Sequence, residues 1–380
     1  MASSLDRRQA RRLFLLGIGS AALVLSACQS RAPVRPLPGQ LDEQPAGGAK
    51  HKVALLVPLS GPDGPVATSI ANAARLALLD TGNQTIELAI YDSGQGGAAA
   101  AAARALAAGN RLILGPLLAE EVRAAAPLAR RANVPVIAFS NDESVAGNGV
   151  FILGVTPAQS IDRVVRHARS RGATRFGALI PQGLYGQRAA QALTASVRAA
   201  GGQLVAAETF TRTTAGARTA ATRLNSRGNY DAVLIADSGR VAALAAPSVE
   251  AGPRLLGTEL WAGERQLGGT ARMRGAWFAA APDARFNQLV TRYRARYGKT
   301  PYRLGSLGYD AVLLTVRAAR QWRPGRDFPA RAIIDPTGFA GVDGIFRFSR
   351  DGIAERALEV REVTARAVVT VSPAATAFSD

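Results

Sequence analysis

Val53-Ala54-Leu55-Leu56-Val57-Pro58-Leu59-Ser60-Gly61-Pro62-Asp63-Gly64 opens the folded part of the chain. Residues 53–59 are apolar throughout, without the alternation of a strand that has one wet face. A strand buried on both faces of a parallel sheet carries this pattern. Similar short runs rich in Val, Ile and Leu recur at 86–91, 111–114, 134–139, 176–180, 204–210, 232–236 and 254–256. Amphipathic helical patterns lie between them. Ile161, Val164, Val165 and Ala168 share one helical face while Arg163, Arg166 and Arg169 take others, and Phe286, Leu289, Val290, Tyr293 and Tyr297 repeat the spacing. Gly109 and Gly201-Gly202 sit where helices stop. Repeated strand–helix units predict an α/β protein with right-handed crossovers.

The rhythm breaks in three places. Two apolar runs, 134–139 and 150–155, are joined by the polar loop 140–149 with no helix between. After 276–282 come two consecutive helical stretches, at 283–297 and 304–321. After 339–343 comes a hairpin-like pair, 345–348 and 358–363. Three hinge crossings between two lobes account for all three breaks. The expected division is 51–155 plus 283–338 for lobe 1, 156–282 plus 339–365 for lobe 2, and a loosely held tail at 366–380.

Ahead of this body stands an export address. Arg7, Arg8, Arg11 and Arg12 form a basic head, followed by an apolar run from Leu13 to Ala27 and then Cys28. These are the parts of a secretory signal, and the run falls short of the roughly 20 residues that span a bilayer. Leu25-Ser26-Ala27-Cys28 resembles a lipobox, so residues 1–27 are expected to be cleaved and Cys28 to carry the lipid. Arg11-Arg12-Leu13-Phe14-Leu15 fits a twin-arginine signal and equally an arginine-rich head for general secretion. Gln29 after the cysteine favours the outer membrane. Residues 28–50, rich in Pro, Gly, Gln and Ala, read as a tether from lipid to body. Cys28 is the only cysteine, which excludes an intramolecular disulfide and leaves stability to the core.

Composition narrows the function classes. The net charge of +18 falls to +15 when Arg7, Arg8, Arg11, Arg12 and Asp6 leave with the signal, and the basic residues are almost all arginine. An exported chain whose basic residues are not interleaved with stacking aromatics is a poor nucleic-acid binder. His51 and His167 are the only histidines, so neither a Cys/His metal set nor a Ser-His-Asp arrangement is available. No phosphate-binding loop follows a strand. A non-catalytic binding protein without metal or cofactor, apart from the lipid, is expected.

With the strand ends marked by Leu114-Gly115-Pro116, Asn133-Val134-Pro135-Val136-Ile137-Ala138-Phe139-Ser140, Tyr185-Gly186, Tyr230-Asp231-Ala232-Val233 and Gly308-Tyr309-Asp310-Ala311, the chain resembles the type I periplasmic-binding fold of branched-chain amino acid binders over about residues 51–364. Ala54 to Gly61, Leu114-Gly115-Pro116-Leu117 and Gly341-Val342-Asp343-Gly344 with Phe346-Arg347-Phe348 are similar to the penicillin-binding protein activator lipoproteins. In the longest members of that family a helical-repeat domain precedes the fold, whereas only a tether is expected before Val53 here. The resemblance implies docking on a bifunctional penicillin-binding protein and stimulation of peptidoglycan synthesis at the periplasmic face of the envelope.

In the amino acid binders, as the resemblance implies, small hydroxyl residues after the third strand hold the ligand carboxylate at a helix N-terminus, where free N–H groups favour an anion. Leu117-Leu118-Ala119-Glu120-Glu121 stands at that place, so two leucines and two acids replace the hydroxyls. Asp142 and Glu143 after the next strand also oppose an anion. The candidate cleft residues are Ser60, Gly61, Leu117, Ser140, Asn141, Tyr185 as an aromatic lid, and Asp237 and Glu259 from the second lobe. The alternative reading is a solute-binding receptor of an ABC uptake system for amino acids or related small molecules.

Overall fold

The computed structural model describes residues 50–378 except Asn83 and Arg265. The signal peptide, the lipobox residues Leu25, Ser26 and Ala27, Cys28 and the rest of the tether lie outside the described residues.

The first sheet is wholly parallel. β1 (His51–Val57), β2 (Ile86–Asp92), β3 (Leu112–Leu114), β4 (Val136–Ala138) and β5 (Val150–Ile152) lie in the order β2-β1-β3-β4-β5. Its first three crossovers are the helices α1 (Gly64–Thr81), α2 (Gly97–Ala107) and α3 (Ala119–Arg131). Val53 to Val57 are all 0% exposed, and the reason is visible in how they divide. Val53, Leu55 and Val57 join Ile70 and Ala74 of α1 in one core. Ala54 and Leu56 join Ala101 of α2 and Val122 of α3 in another, on the opposite face. Burying a Leu or Val side chain contributes about 1.5–3 kcal/mol, so each residue of the run stabilises one of two layers.

Lobe 2 repeats the plan. It is built from α4 (Pro157–Ser170), β6 (Arg175–Pro181), α5 (Leu184–Ala199), β7 (Gln203–Phe210), α6 (Thr214–Asn225), β8 (Ala232–Ile235), α7 (Gly239–Ala245), β9 (Arg254–Gly257) and β10 (Trp277–Ala280). Ala232 and Leu234 turn towards α4 and α5, and Val233 and Ile235 towards α6 and α7. The chain then returns to lobe 1, where α8 (Ala284–Tyr297) and α9 (Gly305–Ala319) place Leu289, Tyr293 and Val312 in the core of β1.

Three expectations are corrected at the C-terminal end. β11 (Phe339–Gly341), β12 (Gly344–Phe348) and β13 (Ala354–Arg356) form a small antiparallel sheet. Its Phe339, Phe346 and Phe348 belong to the core of lobe 1, whereas 339–365 was assigned to lobe 2. The last crossing therefore falls after β13. Residues 345–348 do not form a hairpin with 358–363, because β14 (Glu359–Val363) pairs antiparallel with β10 instead. The expected loose tail contains β15 (Val368–Ser372), paired antiparallel with β14 at the sheet edge. The second sheet thus runs β15-β14-β10-β9-β8-β6-β7: β6 to β10 are parallel, β14 runs against them, and β15 at the edge pairs antiparallel with β14.

Candidate functional site

The loops leaving the C-terminal ends of the strands meet between the lobes, the place where open α/β sheets bind ligands. They enclose a cavity of about 430 Å³. Lobe 1 contributes Asp63 and Val66 from the start of α1, Leu117 and Leu118 after β3, and Phe139 and Asn141 after β4. Glu259, Leu260 and Ala262 come from the turn after β9, and Arg303, Ser306 and Asp343 close the hinge side. A second cavity of about 250 Å³ shares Leu117, Leu118 and Asn141 with the first and adds Ser140, Tyr185 and Arg188.

The walls are mainly apolar, and the cation and several of the acids around them are already engaged. Glu121 turns back on the first turn of α3, accepting from the Leu118 N–H at 3.3 Å and the Ser93 hydroxyl at 2.6 Å. Burial pushes its pKa up, more than the Ser93 bond pulls it down. A carboxyl group of the protein itself therefore stands at the start of α3. Arg303 pairs with Asp283 and, at 2.7 Å, with Asp343. Burial works against its charge, yet the two carboxylates raise its pKa. No lining cation of the larger cavity is left free for a ligand carboxylate among the described residues.

Tyr185 owes its position to the residue after it. A Cβ at Gly186 would run into the Pro181 carbonyl, so only glycine lets α5 start this close to β6. The Tyr185 hydroxyl lies 3.0 Å from Thr258 Oγ1 and 3.1 Å from Glu259 Oε1, and Ser160 also donates to Glu259. Burial raises the Glu259 pKa, and burial together with Glu259 raises that of Tyr185 well above its usual value. Tyr185 and Glu259 thus form one network within lobe 2.

Lobe 1 reaches lobe 2 through Asp142. Its carboxylate, fully buried, pairs with Arg188 of α5 and with Arg123 of α3 at 2.8 Å, and accepts the Ser144 hydroxyl at 2.6 Å. Burial disfavours the charge, but Ser144 and Arg188 hold the pKa below its ordinary value. The Asp142–Arg188 pair joins the loop after β4 to α5 across the mouth of the smaller cavity.

Of the expected cleft residues, Leu117, Asn141 and Glu259 line the larger cavity and Leu117, Ser140, Asn141 and Tyr185 the smaller. Ser60 and Gly61 line neither. Ser60 is tied to the end of β2, donating its N–H to Asp92 at 3.2 Å. Asp237 also stands apart, paired with Arg212 at 2.7 Å. Sequence reasoning missed Ser306 and Arg188, inside α9 and α5, and Arg303, in the turn before α9, with nothing in the local pattern to mark them. Among the described residues, no group of three or more His, Cys, Asp or Glu could hold a metal ion.

The family model described as "Periplasmic binding protein" matches residues 50–367. The chain belongs to the periplasmic binding protein family. An uncharacterized protein of Rickettsia prowazekii (strain Madrid E) is 27% identical over 143 residues, a match spanning 37% of the chain and 38% of that relative. Among solved structures, a putative branched-chain amino acid ABC transporter protein from Rhodospirillum rubrum superposes with a TM-score of 0.73 at 20% identity, over 85% of this chain and 100% of that one. Full-length LpoA from Haemophilus influenzae superposes with a TM-score of 0.65 at 19% identity, over 86% of this chain and 59% of that one. At these identities the likeness is one of fold, the type I leucine-binding architecture.

Proposed function

We propose that this periplasmic binding protein is a non-catalytic, lipid-anchored regulator that activates a bifunctional penicillin-binding protein. It would be held through Cys28 at the periplasmic face of the envelope, on the outer membrane. One observation carries the reading: Glu121 accepts the Leu118 N–H at the start of α3, and Leu117 and Leu118 wall the place where an amino acid carboxylate would sit. An anion entering there meets a like charge and apolar surface, and unpaired burial of a carboxylate is unfavourable. The fold has thereby lost its means of capturing an amino acid while keeping two lobes and a hinge, as suits a protein that acts through its surface. The sequence resemblance to the activator lipoproteins supplies the partner.

The test is a peptidoglycan polymerisation and crosslinking assay using purified bifunctional synthases from the same organism, with and without residues 29–380. The expected result is stimulation that saturates with added protein. The absence of stimulation on every synthase would overturn the reading. The cavity of about 430 Å³ with its apolar walls favours a second reading, a receptor for a small uncharged molecule in an uptake system. Saturable calorimetric binding of such a molecule, with no effect on any synthase, would select it.

A further inference from the structure

A larger hollow lies outside the cleft. On its face of the second sheet, α4 packs over β10 and β14, and the chain after β15 forms the far wall of a groove of about 780 Å³. Arg163, Arg166 and His167 of α4 line it, with Glu355 and Arg356 at its inner end.

The charges are unbalanced in a specific way. Among the described residues, each acid lining the groove is taken by an arginine: Asp162 pairs with Arg166, and Glu355 with Arg347 at 2.8 Å. Arg163 has no carboxylate partner among the described residues. Its Nε donates to the Leu358 carbonyl at 2.9 Å and its Nη2 to the Ser372 hydroxyl at 2.6 Å, with the Ser372 and Pro373 carbonyls at 3.4 and 3.5 Å, and all of these acceptors are neutral. Beside it His167 is only 5% exposed, and its Nε2 has no hydrogen-bond partner. Arg356, 6% exposed, leaves Nε and Nη1 without hydrogen bonds, and its charge is supported by the nearby Asp343 and Asp310. Half-buried cations such as Arg163 are ordinarily paired, because desolvating an unpaired charge is costly.

We propose that this groove binds a multivalent oxyanion, with Arg163 as the central donor and Arg166 at the rim. The chemistry is that of clustered carboxylate or phosphate oxygens, which guanidinium groups bind through paired, charge-assisted hydrogen bonds. Such oxygens come from a small free anion or from an acidic segment of a protein, and the experiment separates the two. The groove shares no lining residue with the cleft cavities, and the proposal is independent of the activator reading.

The test is calorimetric titration of residues 29–380 at low salt with inorganic phosphate, citrate and a hexaglutamate peptide. Saturable binding of at least one probe is expected. Arg163→Gln is expected to weaken it by about tenfold or more, the scale of one lost charge-assisted pair. Preference for phosphate or citrate identifies a free anion, and preference for hexaglutamate an acidic chain segment. Arg163 also ties down the chain after β15, so the exposed Arg166→Gln serves as a second variant and is expected to weaken binding about threefold without loss of fold. A spectroscopic readout is available as well. His167 titrates low because of burial and the nearby Arg163, Arg171 and Arg254, opposed by Glu362, and the bound anion should move its NMR titration upward. Absence of saturable binding by all three probes, or equal binding by wild type and both variants, would overturn the proposal.

Discussion

Asp310 shows how much one residue can carry. It is 1% exposed in α9 and accepts the Val342 N–H at 2.7 Å and the Asp343 N–H at 3.4 Å. The turn between β11 and β12 is hung on this carboxyl, and a Cβ at Gly341 would collide with it. Burial and the neighbouring Asp343 push its pKa up to about 7, against the pull of Arg356. The folded protein therefore keeps a proton on Asp310 in a pH range where the unfolded chain has released it. The group's contribution to stability is fully present below about pH 4 and is lost as pH rises towards 7, at up to about 1.4 kcal/mol per pH unit. Asp310→Asn should flatten that part of the profile, which thermal unfolding of both proteins from pH 5 to 8 measures. Parallel profiles would show that Asp310 does not titrate there. Its sequence context, Gly308-Tyr309-Asp310-Ala311, marked the fold by resemblance. Its role in holding the turn between β11 and β12 was not legible, because the partners come from more than 30 residues downstream.

At the scale of elements, the parallel strands were legible because burial on both faces leaves a continuous apolar run, as in Val53 to Val57. The antiparallel ones were not. Glu359 to Val363 mixes charged and apolar residues without strict alternation, and Arg361 is buried against Asp283 and the Ala281 carbonyl, so pattern could not tell which strand it joins. Asp142 escaped for a related reason: it reads as a loop acid opposing an anionic ligand, yet it bridges two elements of different lobes. Asp142→Asn should cost about 2 kcal/mol in chemical denaturation, the usual loss for a buried charged hydrogen-bonding group. The wild-type contribution is present above the ordinary aspartate pKa and lost as pH falls through its lowered folded value. Arg188→Ala removes the partner from α5 and should leave lobe 1 intact while loosening the cleft. Small-angle scattering should then show a larger radius of gyration, and an unchanged radius would mean the pair does not hold the lobes.

On the scale of the whole molecule, the two lobes were legible but their thread was not. The chain leaves lobe 1 after β5, returns with α8 and leaves for the last time after β13, because Phe339, Phe346 and Phe348 sit in the core of lobe 1. That placement depends on aromatic packing with Phe151, whose ring meets Phe348 edge-on at 5.3 Å, and no local pattern encodes it. Each lobe is thus completed by segments that have already passed through the other, and β14, directly after β13, completes the second sheet. Loss of the lobe 1 core should then pull on lobe 2. Phe346, 1% exposed, is the probe: Phe346→Ala should cost about 3–5 kcal/mol through the cavity it leaves. Trp261, buried against Phe278 in lobe 2, reports on the other lobe by fluorescence once Trp322 of the lobe 1 core is replaced by Phe. If the thread couples the lobes, the Trp261 transition in denaturant shifts by the same amount as the circular dichroism transition, and both remain single. If the lobes fold independently, the Trp261 midpoint stays at its wild-type value while the dichroism curve splits in two.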